Sequence, residues 1–170
     1  MDDVQFWKII KQATSEADGG MEAIAEGVYE QLTELSATEI EAFDGIMRSK
    51  LAAAYTWKLW GAGYLMNGGC SDDGFEYFRG WLIAQGQKVY EAALTDPDSL
   101  AKFADPDNDE YECEDILYVG TRAYEAVTGK QLPMPSMRKQ LPEPAGQNWD
   151  FDDLEATARE LPRLARKYND

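Results

Sequence analysis

Apolar residues recur along this chain at the three- and four-residue steps of helix faces, and no stretch shows the alternation typical of a strand. Amphipathic stretches begin near the N-terminus, at Met21 and after Ser36, where Ser36 and Glu39 form a capping-box pattern. The third helix continues toward Trp57, and Gly45 or residues 61–63 are the points where it could bend. We therefore predict an all-α fold in a single compact domain.

The densest apolar stretch, residues 57–86, predicts a helical hairpin at the centre of this domain. Its first helix carries Trp57 and Trp60 on one face, and residues 67–69 (Asn-Gly-Gly) break it. The second helix can be capped by one of three neighbouring polar side chains, and Gly86 marks its end. These candidate caps are Ser71, Asp72 and Asp73.

The rest of the chain predicts shorter helices and a proline-rich connection. A helix after Gly86 stops before Pro97, and another is expected from Glu112 to Gly129. The last helix begins near Asp150 and is interrupted by Pro162. We divide the chain into a helical domain at 1–132, a Pro-rich connection at 133–148 and a C-terminal helix at 149–170 that packs on the same domain.

One polar cluster within the hairpin is a candidate binding site. Asp72, Glu76 and Arg79 share a side of the second helix by their four- and three-residue spacing, and Asp73 lies beside them. Such a cluster could orient a ligand in a pocket lined by aromatic rings. It could equally be a capping cluster whose carboxylates favour the positive end of the helix dipole, with Arg79 paired to Glu76. The candidate aromatic residues are Trp57, Trp60 and Trp81.

The charge of the chain is strongly acidic and unevenly distributed. The formal net charge is −16, and residues 1–129, with 9 Lys or Arg and 25 Asp or Glu, account for all of it. The sharpest acidic run, residues 96–115, holds nine carboxylates and one lysine. This balance argues against nucleic acid and anionic membranes as partners. The acidic surface could attract a basic protein, or it could serve only to keep the chain soluble.

The residue inventory restricts the available chemistry. The sequence contains no histidine, which removes the commonest general base and most zinc sites. Cys70 and Cys113 are too few for a disulfide framework, and the acidic N-terminus is unlike a signal peptide. No phosphate-binding glycine motif is present. We expect a cytoplasmic protein with no catalytic residues, no cofactor and no metal site, although carboxylate chemistry stays open; the oligomeric state cannot be inferred.

A set of motifs in the first three quarters of the chain resembles the bacterial domain of unknown function 4240 family. They are an early Phe-Trp pair, W-x-L-W-G-A from Trp57, G-G-C-S-D-D-x-F-x-Y-F-R-x-W-L-I-x-x-G from Gly68 to Gly86, the P-D-S-L motif from Pro97 and E-x-x-L-Y-V from Glu114. The resemblance covers about residues 4–132. It implies a bacterial cytoplasmic protein and supplies no catalytic assignments.

Together these features predict a non-catalytic module that binds another protein. A basic partner, such as a toxin or a nucleic-acid enzyme that this chain inhibits, suits the acidic surface. The alternative is a small-molecule-binding protein or carboxylate-dependent enzyme with its pocket at Asp72, Glu76 and Arg79.

Overall fold

The computed structural model describes residues 1–133 and 143–169, and within these residues the chain is helical apart from its connections. Two 3₁₀ turns, η1 (Pro97–Lys102) and η2 (Asp115–Leu117), accompany the α-helices. The α-helices are α1 (Asp3–Glu16), α2 (Met21–Thr33), α3 (Ala37–Ala53), α4 (Trp57–Met66), α5 (Asp72–Ala84), α6 (Gln87–Thr95), α7 (Val119–Thr128), α8 (Leu154–Glu160) and α9 (Pro162–Asn169). The all-α prediction is confirmed.

The helix ends follow local capping chemistry. Asp2 and Gln5 form a capping box at the start of α1, and Ser36 forms the predicted one with Glu39 at the start of α3. Ser71, one of three candidates, caps α5 because its Oγ accepts a hydrogen bond of 3.1 Å from the Gly74 N–H.

Helix α5 lies at the centre of the core. It contacts α1, α2, α3, α4, α6 and η2, while α2 and α3 also pack on α7. Because α5 is surrounded, most of its length is buried, including Phe75, Phe78, Trp81 and Leu82. Together with α4 it forms the predicted hairpin, whose turn is held by a 2.9 Å hydrogen bond from Trp60 Nε1 to the carbonyl of Cys70.

Three predicted helix boundaries are wrong. The last helical stretch begins at Leu154 and is capped by Asp153, rather than by Asp150. The third helix does not run on to Trp57 with a glycine bend, because residues 54–56 leave the helix and Thr56 caps α4 through the Leu59 N–H at 3.2 Å. The helix predicted to begin at Glu112 is wrong at its start, because the helical structure begins with the 3₁₀ turn η2 and continues as α7 from Val119. Residues 112–114 extend along α5, where the Cys113 N–H donates to the carbonyl of Tyr77 at 3.0 Å.

The C-terminal part lies against α4 and η1. Pro162 separates α8 from α9, as expected of a proline in a helical stretch. Most of the predicted connection, at residues 134–142, falls outside the described residues. The division at 1–132, 133–148 and 149–170 therefore stays a prediction, although α9 contacts both α4 and η1 of the preceding domain.

Candidate functional site

The three predicted carboxylates of the α5 cluster lie on the surface. Asp72 and Asp73 occupy the first turn of α5, and Glu76 follows one turn later; all three side chains are exposed. Acidic residues in a first turn are favoured by the helix dipole. This placement agrees with a role in stabilising the start of α5.

Arg79 is buried, with only 8% of its surface exposed, and it bonds to the main chain. Its Nε donates to the carbonyl of Phe75 at 3.2 Å, and its Nη1 donates to the carbonyl of Leu51 at 2.8 Å. The guanidinium lies 4.9 Å from the ring centroid of Tyr55 and 4.8 Å from that of Phe75. Burial lowers the pKa of Arg79, and the charge of Glu76 partly offsets this.

The proposed ion pair between Arg79 and Glu76 does not form. Within the described residues, no carboxylate oxygen approaches Arg79 within the 4.0 Å of an ion pair. The two tryptophans of α4 also have packing roles. Trp57 stacks on Trp60 at 5.4 Å, and Trp60 stacks on Phe75 at 4.8 Å.

We consider two surface clefts formed by the described residues, and neither is lined by Asp72, Glu76 or Arg79. The larger, which we name the Trp81 cleft, has a volume of about 600 Å³. It lies between the start of α2, the second half of α5 and residues 103–112. Of the predicted site residues, it includes Trp81 alone.

The Trp81 cleft combines apolar side chains with acidic ones. The apolar lining is Met21, Trp81, Phe103 and Tyr111, and the acidic lining is Glu22, Glu110 and Glu112. Phe103 is 41% exposed, which is unusual for a large apolar residue and leaves it accessible to a ligand. The cleft is therefore suited to a ligand that is partly apolar and positively charged.

Hydrogen bonds fix Tyr111, the residue that joins the acidic segment to the apolar lining. Its N–H donates to Asn67 Oδ1 at 2.8 Å, and its hydroxyl accepts from the Asp105 N–H at 2.7 Å. The same hydroxyl lies 3.1 Å from the carbonyl of Phe103, to which it donates. The Tyr111 ring contacts Trp81 edge to face, with centroids 5.3 Å apart.

The cleft walls are also tied to one another. Gln85 Nε2 on α5 contacts Met21 Sδ at 3.8 Å, and Cys113 Sγ lies 3.7 Å from the carbonyl of Met21. Gly80 allows the third wall to approach, because a Cβ at this position would lie 2.5 Å from the carbonyl oxygen of Cys113. The cleft is thus built from three segments that are distant in sequence but fixed in space.

The electrostatics of the cleft favour a cation. No lysine or arginine lines it, and none of its three glutamates takes part in an ion pair found among the described residues. Partial loss of solvent raises the pKa of Glu112, and the neighbouring Glu114 raises it further. A cation bound in the cleft would relieve this repulsion between carboxylates.

The two cysteines are poorly suited to nucleophilic chemistry. Burial, followed by the charge of Glu112, raises the pKa of Cys70 to about 12. Burial likewise raises the pKa of Cys113 to about 11. Among the described residues, no group of three or more Cys, Asp or Glu side chains is placed to hold a metal ion.

Most of the cleft lining could not be identified from the sequence. Residues 96–115 are visible there as an acidic run, and Trp81 as part of the hairpin, but nothing local connects Trp81 or the acidic side chains to Met21, Gln85 or Phe103. The link is tertiary, made through Tyr111 and the packing of residues 111–113 on α5.

The comparisons with known proteins identify a family. The model of the family described as "Protein of unknown function (DUF4240)" matches residues 1–126, so the chain belongs to this family. Neither a curated protein nor a solved structure shows a significant match. In the part of the chain that the structure describes, no helix is long and apolar enough to cross a membrane.

Proposed function

We propose that this protein is a non-catalytic module of the bacterial cytoplasm that binds a basic segment of another protein in the Trp81 cleft. The observation that carries the proposal is the composition of the cleft, in which three glutamates with no cationic partner among the described residues lie together with the exposed ring of Phe103. Lysine and arginine match both properties, because their aliphatic stems cover apolar surface while their charged ends meet carboxylates.

The charge of the whole chain supports the same partner. The net charge of −16 speeds encounter with a basic protein and disfavours acidic ones. Near the cleft, Asp105, Asp107 and Asp109 are exposed on the loop that leads to its acidic wall. A partner whose basic surface binds nucleic acid would be covered by this loop, which is one way such a module could inhibit it.

The size of the cleft limits what enters it. A volume of about 600 Å³ admits a few side chains rather than a folded domain. We therefore expect an exposed loop or helix of the partner to insert one or two basic side chains, with the surrounding acidic surface contributing mainly to association rate.

The alternative site at Asp72, Glu76 and Arg79 has less support. Its carboxylates are exposed, its arginine is bonded to carbonyls of the main chain, and no described cleft connects them. A small-molecule or carboxylate-enzyme function would need these groups to converge on a cavity.

The proposal is tested by calorimetric titration with acetylated hexalysine and, for comparison, hexaglutamate. Hexalysine should bind and hexaglutamate should not, and raising the salt from about 0.05 M to about 0.5 M should weaken binding at least about tenfold because exposed charges are screened. Changing Glu22 and Glu110 together to Gln should weaken binding about fivefold, since each exposed charge pair contributes up to roughly 1 kcal/mol.

A matched control separates the cleft from the overall charge. Glu30 and Glu125 are exposed, lie outside the cleft and give the same charge change when both are replaced by Gln. This control variant should stay within about twofold of the wild-type affinity. Equal weakening by both double variants, or salt-independent binding, would rule out the cleft as the binding site.

A further inference from the structure

The C-terminal segment, residues 143–169, crosses α4 and η1 through contacts that are specific at each end. At its start, Ala145 forms an isolated bridge with Thr56. The Trp57 N–H donates to the carbonyl of Ala145 at 2.9 Å, and the Ala145 N–H donates to the carbonyl of Tyr55 at 2.9 Å. The residues that join α3 to α4 therefore bind the start of this segment.

Two aromatic residues of the segment sit on α4. Trp149 packs on Gly61, where a Cβ would lie 2.5 Å from the indole ring. Phe151 lies with its ring centroid 5.3 Å from that of Tyr64, whose hydroxyl donates to Asp152 Oδ1 at 2.7 Å. The absence of a side chain at Gly61 therefore leaves a space on α4, and the indole of Trp149 fills it.

Asp98 of η1 holds the first turn of α9. Its carboxylate accepts hydrogen bonds from the N–H groups of Arg163 and Leu164, at 2.9 and 2.8 Å, and from Arg163 Nε at 2.9 Å. Pro162 has no N–H, so these are the first two donors that α9 offers. Arg163 also pairs with Asp96. Only 3% of Asp98 is exposed, so η1 acts as the cap of a helix more than sixty residues away in the chain.

The two sides of this contact belong to different parts of the chain. The residues that receive the segment all lie within the family match at 1–126, and we name them the receiving face: Tyr55, Trp57, Gly61, Tyr64, Asp96 and Asp98. The residues that occupy it, from Ala145 to Leu164, all lie outside the match. The family part of the chain therefore supplies partners for an extended aromatic segment and for a helix start, and it also buries Leu161 and Leu164 of the segment completely.

We propose that the receiving face is a peptide-binding site and that the C-terminal segment is its displaceable occupant within the same chain. Its ligands are peptides with two aromatic residues spaced as Trp149 and Phe151, followed by a helix that begins with Pro-Arg. The tether gives the bound segment a high effective concentration, so a free peptide competes only when the contacts of the tethered segment are weakened. This site adjoins the Trp81 cleft, since Lys167 of the segment donates to the carbonyl of Ala104 at 3.1 Å, next to Phe103 of the cleft. The proposal rests on other contacts and stands independently of the function proposed there.

The test uses the full chain with substitutions confined to the C-terminal segment. Replacing Trp149 and Arg163 together by Ala weakens the contacts of the C-terminal segment with the receiving face and leaves the residues of that face unchanged. A fluorescent peptide of residues 143–169 should bind this variant at least about tenfold more tightly than it binds the wild type, because the mutated C-terminal segment competes less strongly for the receiving face. The same peptide carrying Arg163→Ala should bind the variant at least about fivefold more weakly, through loss of charge-assisted bonds.

A second variant, Arg163→Ala alone, removes fewer contacts and keeps the test decisive if the double variant does not fold. Circular dichroism and thermal unfolding establish that each variant is folded. Equal binding of the peptide to wild type and variants, binding that ignores Arg163 in the peptide, or absence of binding to folded variants would overturn the proposal. Unfolding of both variants would also overturn it, because the segment would then be an integral part of the core.

Discussion

Arg79 is stable in the interior because its neighbours match a planar cation. The rings of Tyr55 and Phe75 pack against the guanidinium, and two carbonyls accept its hydrogen bonds. One of these carbonyls belongs to Leu51, so Arg79 links α5 to the last turns of α3. At the scale of single residues, this side chain is a structural link rather than a free binding group.

Replacing Arg79 by Ala should lower the free energy of unfolding by about 3 kcal/mol, since it removes buried packing and leaves the Leu51 carbonyl without its donor, whereas the Phe75 carbonyl keeps its hydrogen bond within α5. Arg79→Lys should not restore the loss, because an ammonium cannot reproduce the planar fork. Urea denaturation measures both effects. Glu76→Ala, on the exposed side of the same helix, is the control and should stay within about 0.5 kcal/mol of wild type. A loss below that size for Arg79→Ala would refute the structural role.

Two buried aspartates respond to their surroundings in opposite directions. Burial raises the pKa of Asp44, and its pairing with Arg48 only partly offsets this. Burial also acts to raise the pKa of Asp98, but the hydrogen bonds from Arg163 and Leu164 outweigh it and the pKa is lowered. Ionised Asp98 therefore adds stability at neutral pH that is lost as the pH falls through its folded-state pKa. Ionised Asp44 has the reverse effect.

Asp44→Asn should raise the free energy of unfolding at pH 7, because the folded state of the wild type carries a poorly solvated carboxylate there. The difference between variant and wild type should shrink as the pH falls through the folded-state pKa of Asp44, where protonation removes the cost in the wild type. Urea denaturation across the acid range measures the difference. A variant that is less stable than wild type at pH 7 would show that the pair with Arg48 dominates.

At the scale of the elements, the close approach of α5 and residues 111–117 decides the shape of the cleft. Gly80 is the point of contact, because a Cβ at that position would lie 2.5 Å from the Cys113 carbonyl oxygen and 3.1 and 3.2 Å from the side chains of Ile116 and Leu117, closer than van der Waals contact allows. Because the Cys113 carbonyl is main chain, an added methyl group must move the segment itself. Glu112 belongs to this segment and Glu110 directly precedes it, so the acidic wall of the cleft would move with the segment.

Gly80→Ala should therefore lower the free energy of unfolding by about 2 kcal/mol, as overpacking does, and weaken hexalysine binding through displacement of Glu110 and Glu112. Gly45→Ala is the matched control, since this residue lies within α3 and has open space around its Cβ position. It should raise the stability by about 0.5–1 kcal/mol through helix propensity. Similar effects of the two substitutions on stability would contradict the packing described at Gly80.

The sequence predicts the elements well where a local signal exists. The capping box of Ser36 and Glu39, the glycines after Asn67 and the stop at Pro162 all act within a few residues, and each has the expected effect in the structure. The errors arise where distant segments decide. Residues 54–56 leave the helix where they pair with Ala145, and Cys113 pairs with Tyr77 of α5 rather than opening a helix.

For the whole molecule, too, the sequence predicts the parts of the candidate site but not how they come together. Trp81 and the acidic run at 96–115 are visible in the sequence, but their adjacency depends on the packing of residues 111–113 on α5. The structure also divides the acidic run. Asp96 and Asp98 are bound to Arg163, whereas Glu110 and Glu112 line the cleft. Asp96 and Asp98 are thus engaged within the chain, whereas Glu110, Glu112 and the aspartates of the preceding loop are exposed.

The acidic charge of the molecule thus has two different uses. Within the chain it fixes the C-terminal segment through η1, and at the Trp81 cleft it has no counter-charge among the residues that the structure describes. A role in solubility alone does not account for carboxylates that line a cleft beside the exposed ring of Phe103. The central claim is therefore one of location: a basic ligand binds at the cleft and not over the acidic surface in general.

Amide-resolved NMR titration of the full chain with hexalysine tests this claim most directly. Binding at the cleft should produce shift changes centred on the amides of Met21, Gln85 and Tyr111, with little change at exposed sites away from the cleft such as Val4, Val127 and Leu154. Changes centred instead on residues 72–79, or spread evenly over the acidic residues of the chain, would contradict it.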